Sequence, residues 1–349
     1  MRRHLRSCLR FGTGDGLLVC APLKHSSIRC TSHRLVEREH TLKSLSDMKL
    51  LQYHHRNVTL DSAATSSDID LERARCFLAD GSVMDARQAL MESLRWKPFS
   101  HETRRLLQSV DASLAPMLQL PAEIVAAEPM FAMMYDALKH HTMLTWPRLF
   151  SLFVHARMLT EKSSPEGDIL ECGCAGGGSV VLFAAAFKYF REIQPQSERC
   201  AERRVFALDT FSGMPPPSNE DHLLNGSSTS SRSADDTHWS TGTCSGSEAH
   251  VHALARAFGV THRGGVDANN KLPLRRCAFL HCDADWYEST VCVLRHVLPI
   301  MPSGSTVQLD DYNYWGGCKK AVDEVLHERS ISRNNLQDVD GNAALLVLP

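Results

Sequence analysis

The sequence predicts an α/β fold in which helices cover both faces of a mainly parallel sheet. Downstream of residue 165, short apolar runs alternate with stretches of helical periodicity, as is typical of strands buried on both sides. The runs are 168–172, 205–208, 277–282, 306–309 and 343–348, and each of the first four ends at or beside an acidic residue. Ligands of such sheets bind beyond the carboxyl ends of the strands, so these acids are the candidate functional residues.

The overall composition excludes several classes of protein. The 349 residues carry 38 basic and 40 acidic side chains, and this near-balance argues against a nucleic-acid-binding protein. No apolar run approaches the roughly 18 residues of a membrane span. The twelve cysteines are scattered, which indicates reduced thiols and a cytoplasmic or organellar protein rather than a secreted one.

Residues 1–60 are predicted to be a basic arm or a targeting segment. Residues 1–36 hold seven Lys and Arg against one acid (7 − 1 = +6), with six Ser and Thr between them. Organellar transit peptides have this composition, and a solvated, disordered arm is the equally weighted alternative. The sequence does not decide whether the segment is cleaved.

Residues 61–120 are predicted to be a helical extension. Gly81, Ala86, Leu90, Ser93 and Pro98 occupy the places expected for one tetratricopeptide-like helix–turn–helix unit, but no second copy follows. An ordinary helical hairpin is at least as good an interpretation. This region is where a second copy of the chain or a protein partner is expected to bind.

A polar insertion interrupts the domain predicted for residues 121–349. Residues 219–247 include twelve Ser and Thr among 29 residues, too few apolar groups to fold alone. Such a stretch is either a lid or a disordered insertion. We expect it to be mobile and to lie over the acceptor side of the site, with His238 and Trp239 able to contact a substrate.

A glycine turn follows the first predicted strand. Glu171 and Gly173 end the strand, and Gly177 and Ser179 lead into a helical run, whose first N–H groups are free to bind a ligand. The spacing is not that of a dinucleotide site, and an acid in the turn would repel pyrophosphate. S-adenosylmethionine, with its amino group and sulfonium, suits such a turn. The alternative is a tight turn without a ligand.

Asp209 ends the second strand and is the candidate for binding the two ribose hydroxyls of that cofactor. An acid at this kind of boundary is also a common turn or helix-capping residue, and that alternative remains open.

Four acids follow the third and fourth of these strands. Asp283 and Asp285 lie two residues apart, and Asp310 and Asp311 come 25 residues after Asp285. Four carboxylates would repel unless a cation or protons compensated, and oxygen ligands favour Mg²⁺. Solvated caps and turns are the alternative. A zinc site built from Cys172, Cys174, His281 and Cys282 is disfavoured, because no pair has structural-zinc spacing.

Taken in order and spacing, these stretches resemble the macrocin O-methyltransferase family. They are Glu171–Ser179, Asp209–Pro215, Asp283–Ser289, Asp310–Tyr312 and Gly317–Val322. The resemblance spans about residues 140–330. It implies a Rossmann-like class I methyltransferase sheet and an enzyme that uses S-adenosylmethionine and Mg²⁺ to methylate sugar hydroxyls in antibiotic biosynthesis.

The resemblance also implies roles for individual residues. Asp283, Asp310 and Asp311 match its metal ligands, and Asp285 matches its proposed general base. The cofactor-contacting positions are Glu171, Gly173, Gly177, Ser179 and Asp209. Ala284 and Trp286 depart from the usual Gly and Leu, and the poorly matched stretch 247–277 leaves the adenine contacts unassigned.

The expected function is therefore Mg²⁺-dependent methyl transfer to a hydroxyl of a small molecule. The hypothesis is that the metal binds a vicinal diol while Asp285 removes the proton. Sugar, catechol-like and polyketide hydroxyls all remain candidate acceptors. The alternative is a non-catalytic adaptor on a degenerate methyltransferase fold, disfavoured because all four acids and the glycine turn are present.

Overall fold

The computed structural model describes residues 17–20, 67–79, 83–97, 99–224, 232–233, 239, 241–260 and 274–349. The chain divides into two compact units, one formed by residues 1–22 with 120–349 and the other by residues 23–119. Most of the predicted targeting segment lies outside the described residues.

Three helices make up the described part of the second unit, which we call the helical unit. They are α1 (67–79), α2 (Val83–Trp96) and α3 (His101–Leu118). Ala74, Phe77 and Leu90, which carry the helical periodicity, are buried together with Leu114 of α3. The tetratricopeptide-like character of this unit and its role in binding a partner stay predictions.

A seven-stranded sheet organises the first unit. The strands in chain order are β1 (Leu17–Cys20), β2 (Asp168–Cys172), β3 (Val205–Leu208), β6 (Cys277–Cys282), β7 (Thr306–Leu309), β8 (Leu336–Asp338) and β9 (Ala344–Val347), with β4 and β5 outside this sheet. Their spatial order is β1-β3-β2-β6-β7-β9-β8, and the first five are parallel. The terminal β8–β9 hairpin is antiparallel. The predicted α/β class and its four central strands are confirmed.

Helices cover both faces of this sheet. They are α4 (Ala122–Ala127), α5 (Pro129–Leu138), α6 (Trp146–Met158), α7 (Gly178–Ile193), α8 (Glu248–Ala257), α9 (Tyr287–Val297) and α10 (Gly316–Glu328). Consecutive strand residues point to opposite faces. Ile169 therefore packs in the core formed by α5–α8, and Leu170 in the core formed by α9 and α10.

The edge strand β1 was not expected from the sequence. Leu17 pairs with Val205 and Cys20 with Leu208, so four residues of the predicted basic arm extend the sheet. The segment around this strand is rich in basic residues, so its overall composition predicts an arm rather than a strand. None of the helices in the described ranges has the length and apolarity that a membrane crossing requires.

The polar insertion is described only in part. The short strands β4 (His222–Leu223) and β5 (Arg232–Ser233) pair antiparallel. Trp239 is half-buried and packs against the core on the α9–α10 side of the sheet, whereas His238 lies outside the described residues. The expected mobility of the insertion and its place over an acceptor stay predictions.

Candidate active site

The candidate residues meet at the point in the sheet where the order of the strands reverses. From β2 the chain adds β3 on one side, and β6 and β7 are then added on the other. The amide of Asp283 donates to the carbonyl of Cys172 (2.9 Å), and that of Asp310 donates to the carbonyl of Cys282 (3.1 Å). These bonds align the carboxyl ends of β2, β6 and β7, the place at which ligands of such sheets bind.

The glycine turn packs directly against neighbouring protein segments. Gly173 has φ +93°, and a Cβ built there would lie 1.7 Å from the carbonyl oxygen of Asp283. Gly177, with φ +82°, precedes α7, and its Cβ would lie 2.8 Å from Val251 Cγ1. The absence of side chains at these two positions thus allows two neighbouring segments to approach the turn closely.

Glu171 and Ser179 belong to a buried polar network. The Ser179 hydroxyl donates to Glu171 Oε1 (2.5 Å), and His281 Nδ1 lies 3.5 Å from the same oxygen. Burial alone would lower the pKa of His281, but the charge of Glu171 and its contacts with Asp310 hold that pKa well above its usual range. The imidazole of His281 therefore lies between two acidic side chains, close to one oxygen of each.

Asp209 holds the loops beside the glycine turn. Its Oδ2 accepts the amide of Ala175 (2.8 Å) and its Oδ1 accepts the amide of Phe211 (2.7 Å). Burial raises the pKa of this carboxyl, and the amide donors partly offset that rise. Asp209 is half-buried at the end of β3, and these backbone donors hold its carboxyl group beside the glycine turn.

Three of the four predicted acids form one group, which we call the acid cluster. One carboxylate oxygen from each of Asp283, Asp285 and Asp311 lies within 4.8 Å of the others. Desolvation and neighbouring negative charge hold the pKa values of Asp283 and Asp285 well above the usual range, and raise that of Asp311 to about 6. Arg148 and His281 lower the pKa of Asp311 without cancelling the rise that burial and Asp310 cause, and the three carboxyl groups supply oxygen ligands of the kind that hard cations prefer.

The fourth acid, Asp310, has cationic partners. Its Oδ2 accepts from Arg148 Nη1 (2.5 Å), and its Oδ1 lies 3.3 Å from His281 Nε2. Burial would raise the pKa of Asp310, but Arg148 and His281 lower it to about 2. Asp310 is therefore adjacent to the acid cluster but outside it.

Strained backbone occurs at three positions around this edge of the sheet. Ala175, Phe211 and Asp285 have φ of +40°, +52° and +52°, in the left-handed region that side chains avoid. Each such conformation costs on the order of 1–3 kcal/mol and persists where the surroundings impose it. All three residues lie at the edge where the candidate residues meet.

The cysteines of this edge are buried thiols, and burial raises the pKa of Cys172 and Cys282. Among the residues that the structure describes, the acid cluster is the one group with metal-binding geometry.

The sequence argument missed the role of Arg148 and assigned His281 to the disfavoured zinc site. A usable signal was present for His281, a polar residue inside the apolar run Cys277–Cys282. Arg148 gave no local signal, because its acidic partners are far along the chain.

Comparisons with known proteins place the sequence in a family. The sequence model of the family described as macrocin-O-methyltransferase (TylF) matches residues 133–346. Mycinamicin III 3''-O-methyltransferase of Micromonospora griseorubida is 26% identical over 194 residues, which is 55% of this chain and 72% of that protein. The 8-demethyl-8-(2,3-dimethoxy-alpha-L-rhamnosyl)-tetracenomycin-C 4'-O-methyltransferase of Streptomyces olivaceus is 26% identical over 208 residues, 58% of this chain and 73% of that protein.

Solved structures with similar folds include the O-methyltransferase NovP and the calicheamicin methyltransferase CalS11. NovP has 23% identity and a TM-score of 0.47, and the match covers 60% of this chain and 82% of NovP. CalS11 has 20% identity and a TM-score of 0.43, with 69% and 92% covered.

Proposed function

The chain belongs to the macrocin O-methyltransferase family and is an O-methyltransferase, and from that premise we propose a metal-dependent reaction on a sugar diol. The methyl donor is S-adenosylmethionine, as the family implies. The observation that carries the metal requirement is the acid cluster, whose three carboxylates approach within 4.8 Å of one another.

A divalent cation fits this cluster. Carboxylate oxygens are the ligands preferred by Mg²⁺, and three carboxylates this close together repel one another unless protons or a cation are bound. Asp283, Asp310 and Asp311 are the proposed ligands, with Asp285 as the general base. Asp285, not Asp310, lies in the acid cluster with Asp283 and Asp311. Which of Asp285 and Asp310 is the third metal ligand, and which is the base, is therefore the point to test.

The donor site is proposed at the adjacent strand ends. Gly173 and Gly177 shape the turn, and Glu171 is buried beside it between Ser179 and His281. Asp209, which accepts the amide of Ala175 in the same turn, is the proposed partner of the ribose hydroxyls. When bound, the donor supplies an electrophilic methyl group on its sulfonium. Gly173 packs on Asp283, so the donor turn and the acid cluster have a fixed spacing, which in-line transfer requires.

Proton removal is assigned to the protein. A sugar hydroxyl is a weak nucleophile at neutral pH, and a bound Mg²⁺ would make such a hydroxyl more acidic. We assign this proton to Asp285, whose backbone is held at φ +52° and whose carboxyl group lies in the acid cluster. Burial and the neighbouring Asp311 raise the pKa of this carboxyl group.

The proposed acceptor class follows from the relatives. One is named for transfer to a 3'' oxygen and the other for a 4' oxygen of a rhamnosyl compound. We extend this to a glycoside bearing adjacent hydroxyls, because two neighbouring oxygens can chelate one metal. Catechols and polyketide hydroxyls are the competing acceptors.

The test is a transfer assay with isotopically labelled S-adenosylmethionine and a panel of rhamnosides, catechols and polyketides. We expect transfer to rhamnosides that is abolished by EDTA and restored by Mg²⁺. Transfer that continues at full rate in EDTA would refute the metal requirement, and transfer to catechols alone would refute the acceptor class.

Two variants separate ligand from base. Asp310→Asn should weaken Mg²⁺ binding in a calorimetric titration, whereas Asp285→Asn should keep Mg²⁺ binding and lose about 10²–10⁴-fold in kcat. The control is Asp136→Asn, an exposed acid paired with Lys139 on α5. Loss of Mg²⁺ binding in Asp285→Asn but not in Asp310→Asn would make Asp285 the metal ligand and refute its role as the base.

A further inference from the structure

Arg148 occupies an unusual position for a cation. It is the third residue of α6, and the amino-terminal turn of a helix favours negative rather than positive charge. Its side chain is nevertheless only 10% exposed. The helix itself therefore does not stabilise a buried guanidinium here, and its partners must.

Those partners are two acids from separate parts of the chain. Arg148 Nη1 donates to Asp310 Oδ2 (2.5 Å), and Arg148 Nε donates to Asp340 Oδ2 (2.7 Å). Asp340 lies in the turn of the β8–β9 hairpin and is 8% exposed, and Asp310 is 4% exposed. One buried cation thus joins α6, the end of β7 and the carboxyl-terminal hairpin.

Asp340 is itself held in place. It accepts the hydroxyl of Thr145 (2.6 Å) and, through its other oxygen, the amide of Ala343 (3.0 Å). Thr145 stands at the N-cap of α6 but makes no side-chain capping bond. Two residues at the start of α6 therefore converge on Asp340, which fixes Arg148 from the side opposite to Asp310.

Asp310 is bound on both of its oxygens but not saturated. Arg148 takes one acceptor site of Oδ2 and His281 lies next to Oδ1, whereas a carboxylate has about four acceptor sites. The remaining sites are available in one fixed orientation, next to Asp311 in sequence. Outer partners that orient a ligand in this way typically change metal affinity about 10–100-fold when removed.

We propose that Arg148, anchored by Asp340, is a positioning residue that orients Asp310 for the metal site. This rests on the proposed metal dependence and assigns Arg148 a specific task in it. In this role Arg148 acts through Asp310, to which its Nη1 donates. Its loss therefore affects metal binding selectively, not the binding of S-adenosylmethionine.

The experiment measures Mn²⁺ binding by electron paramagnetic resonance, with the full chain and no acceptor. Arg148→Met should weaken Mn²⁺ binding about 10–100-fold and leave the calorimetric Kd for S-adenosylmethionine within about threefold. Arg148→Lys, which keeps the charge but loses the two-sided contact, should fall between. Asp340→Asn, which keeps Arg148, should weaken Mn²⁺ binding less than Arg148→Met does. If Arg148→Met does not fold, the Mn²⁺ affinity of Asp340→Asn tests the positioning role instead.

The matched control is Arg204→Met. Arg204 forms a similarly buried ion pair with Asp168 (2.6 Å), but at the opposite edge of the sheet. The Arg204→Met variant should be less stable than the wild-type chain but bind Mn²⁺ with the same affinity.

The outcomes are distinguishable. A wild-type chain that binds no Mn²⁺ refutes the proposed metal dependence and this inference with it. Wild-type binding with equal or tighter binding in Arg148→Met refutes the positioning role alone. Equal weakening of Mn²⁺ and S-adenosylmethionine binding would identify Arg148 as a merely structural residue and also overturn the proposal.

Discussion

Replacing Gly173 by alanine should separate the donor turn from the acid cluster. A Cβ at this position would lie 1.7 Å from the carbonyl oxygen of Asp283 and 2.7 Å from its carbonyl carbon. Real Cβ contacts essentially never fall below 3.0 Å, so the two strand ends must move apart by at least 3.0 − 1.7 = 1.3 Å. Both contacting atoms are backbone, which leaves no flexible side chain to move instead.

The magnitude follows from that displacement. A shift of about 1 Å in a catalytic group can cost about 10²-fold in rate, so kcat/KM should fall at least about 100-fold, or about 2.7 kcal/mol. The φ of +93° adds a conformational cost of about 1–2 kcal/mol to folding. The hydrogen bond from the Asp283 amide to the Cys172 carbonyl, 2.9 Å long, should also be lost.

The assay compares kcat/KM and thermal unfolding for Gly173→Ala and a matched control, Gly304→Ala. Gly304 has φ +79°, but its Cβ would lie 3.4 Å from Pro165 Cγ, an ordinary contact away from the carboxyl edge of the sheet. The control should lose similar conformational stability and keep kcat/KM within about twofold. A folded Gly173→Ala enzyme with the kcat/KM of the control would refute the reasoning.

Two further predictions concern other parts of the chain. Burial raises the pKa of Asp70 in the helical unit from 3.8 to about 6, so the folded state is stabilised by the protonated carboxyl group, and this stabilisation is lost as the pH rises from about 4 through about 6. Asp70→Asn should therefore stabilise α1 by about 1 kcal/mol at pH 7.5 and have no effect below pH 4. The gain at pH 7.5 is kept small by solvent screening and by loss of the ion pair with Arg73. Hydrogen exchange localised to α1 checks this, and equal protection at pH 7.5 would contradict it. In the polar insertion, exchange should slow when donor and acceptor bind together, and exchange that stays fast in the full complex would mark the insertion as a passive linker.

Much of the sheet was predictable because its signal is local. A strand buried on both faces is a continuous apolar run, and the runs 168–172, 205–208, 277–282 and 306–309 coincide with strands of the structure. Parallel strands end at one edge, so the acids that follow those runs had to lie near one another. The antiparallel β8–β9 pairing and the added strand β1 had no comparable signal, because the strand that each one pairs with depends on which edge of the folded sheet is free.

Within the site, the sequence by itself determined which acids reach the carboxyl edge, and the tertiary structure decided which of them approach one another. Asp310 and Asp311 are neighbours in sequence, yet Asp311 joins the acid cluster and Asp310 pairs with Arg148, 162 residues away. Successive residues project in different directions, and which one meets a cation depends on where α6 packs. That position is set by the buried core between α6, α7 and the sheet, a sum of many small contacts between distant segments that no local pattern encodes.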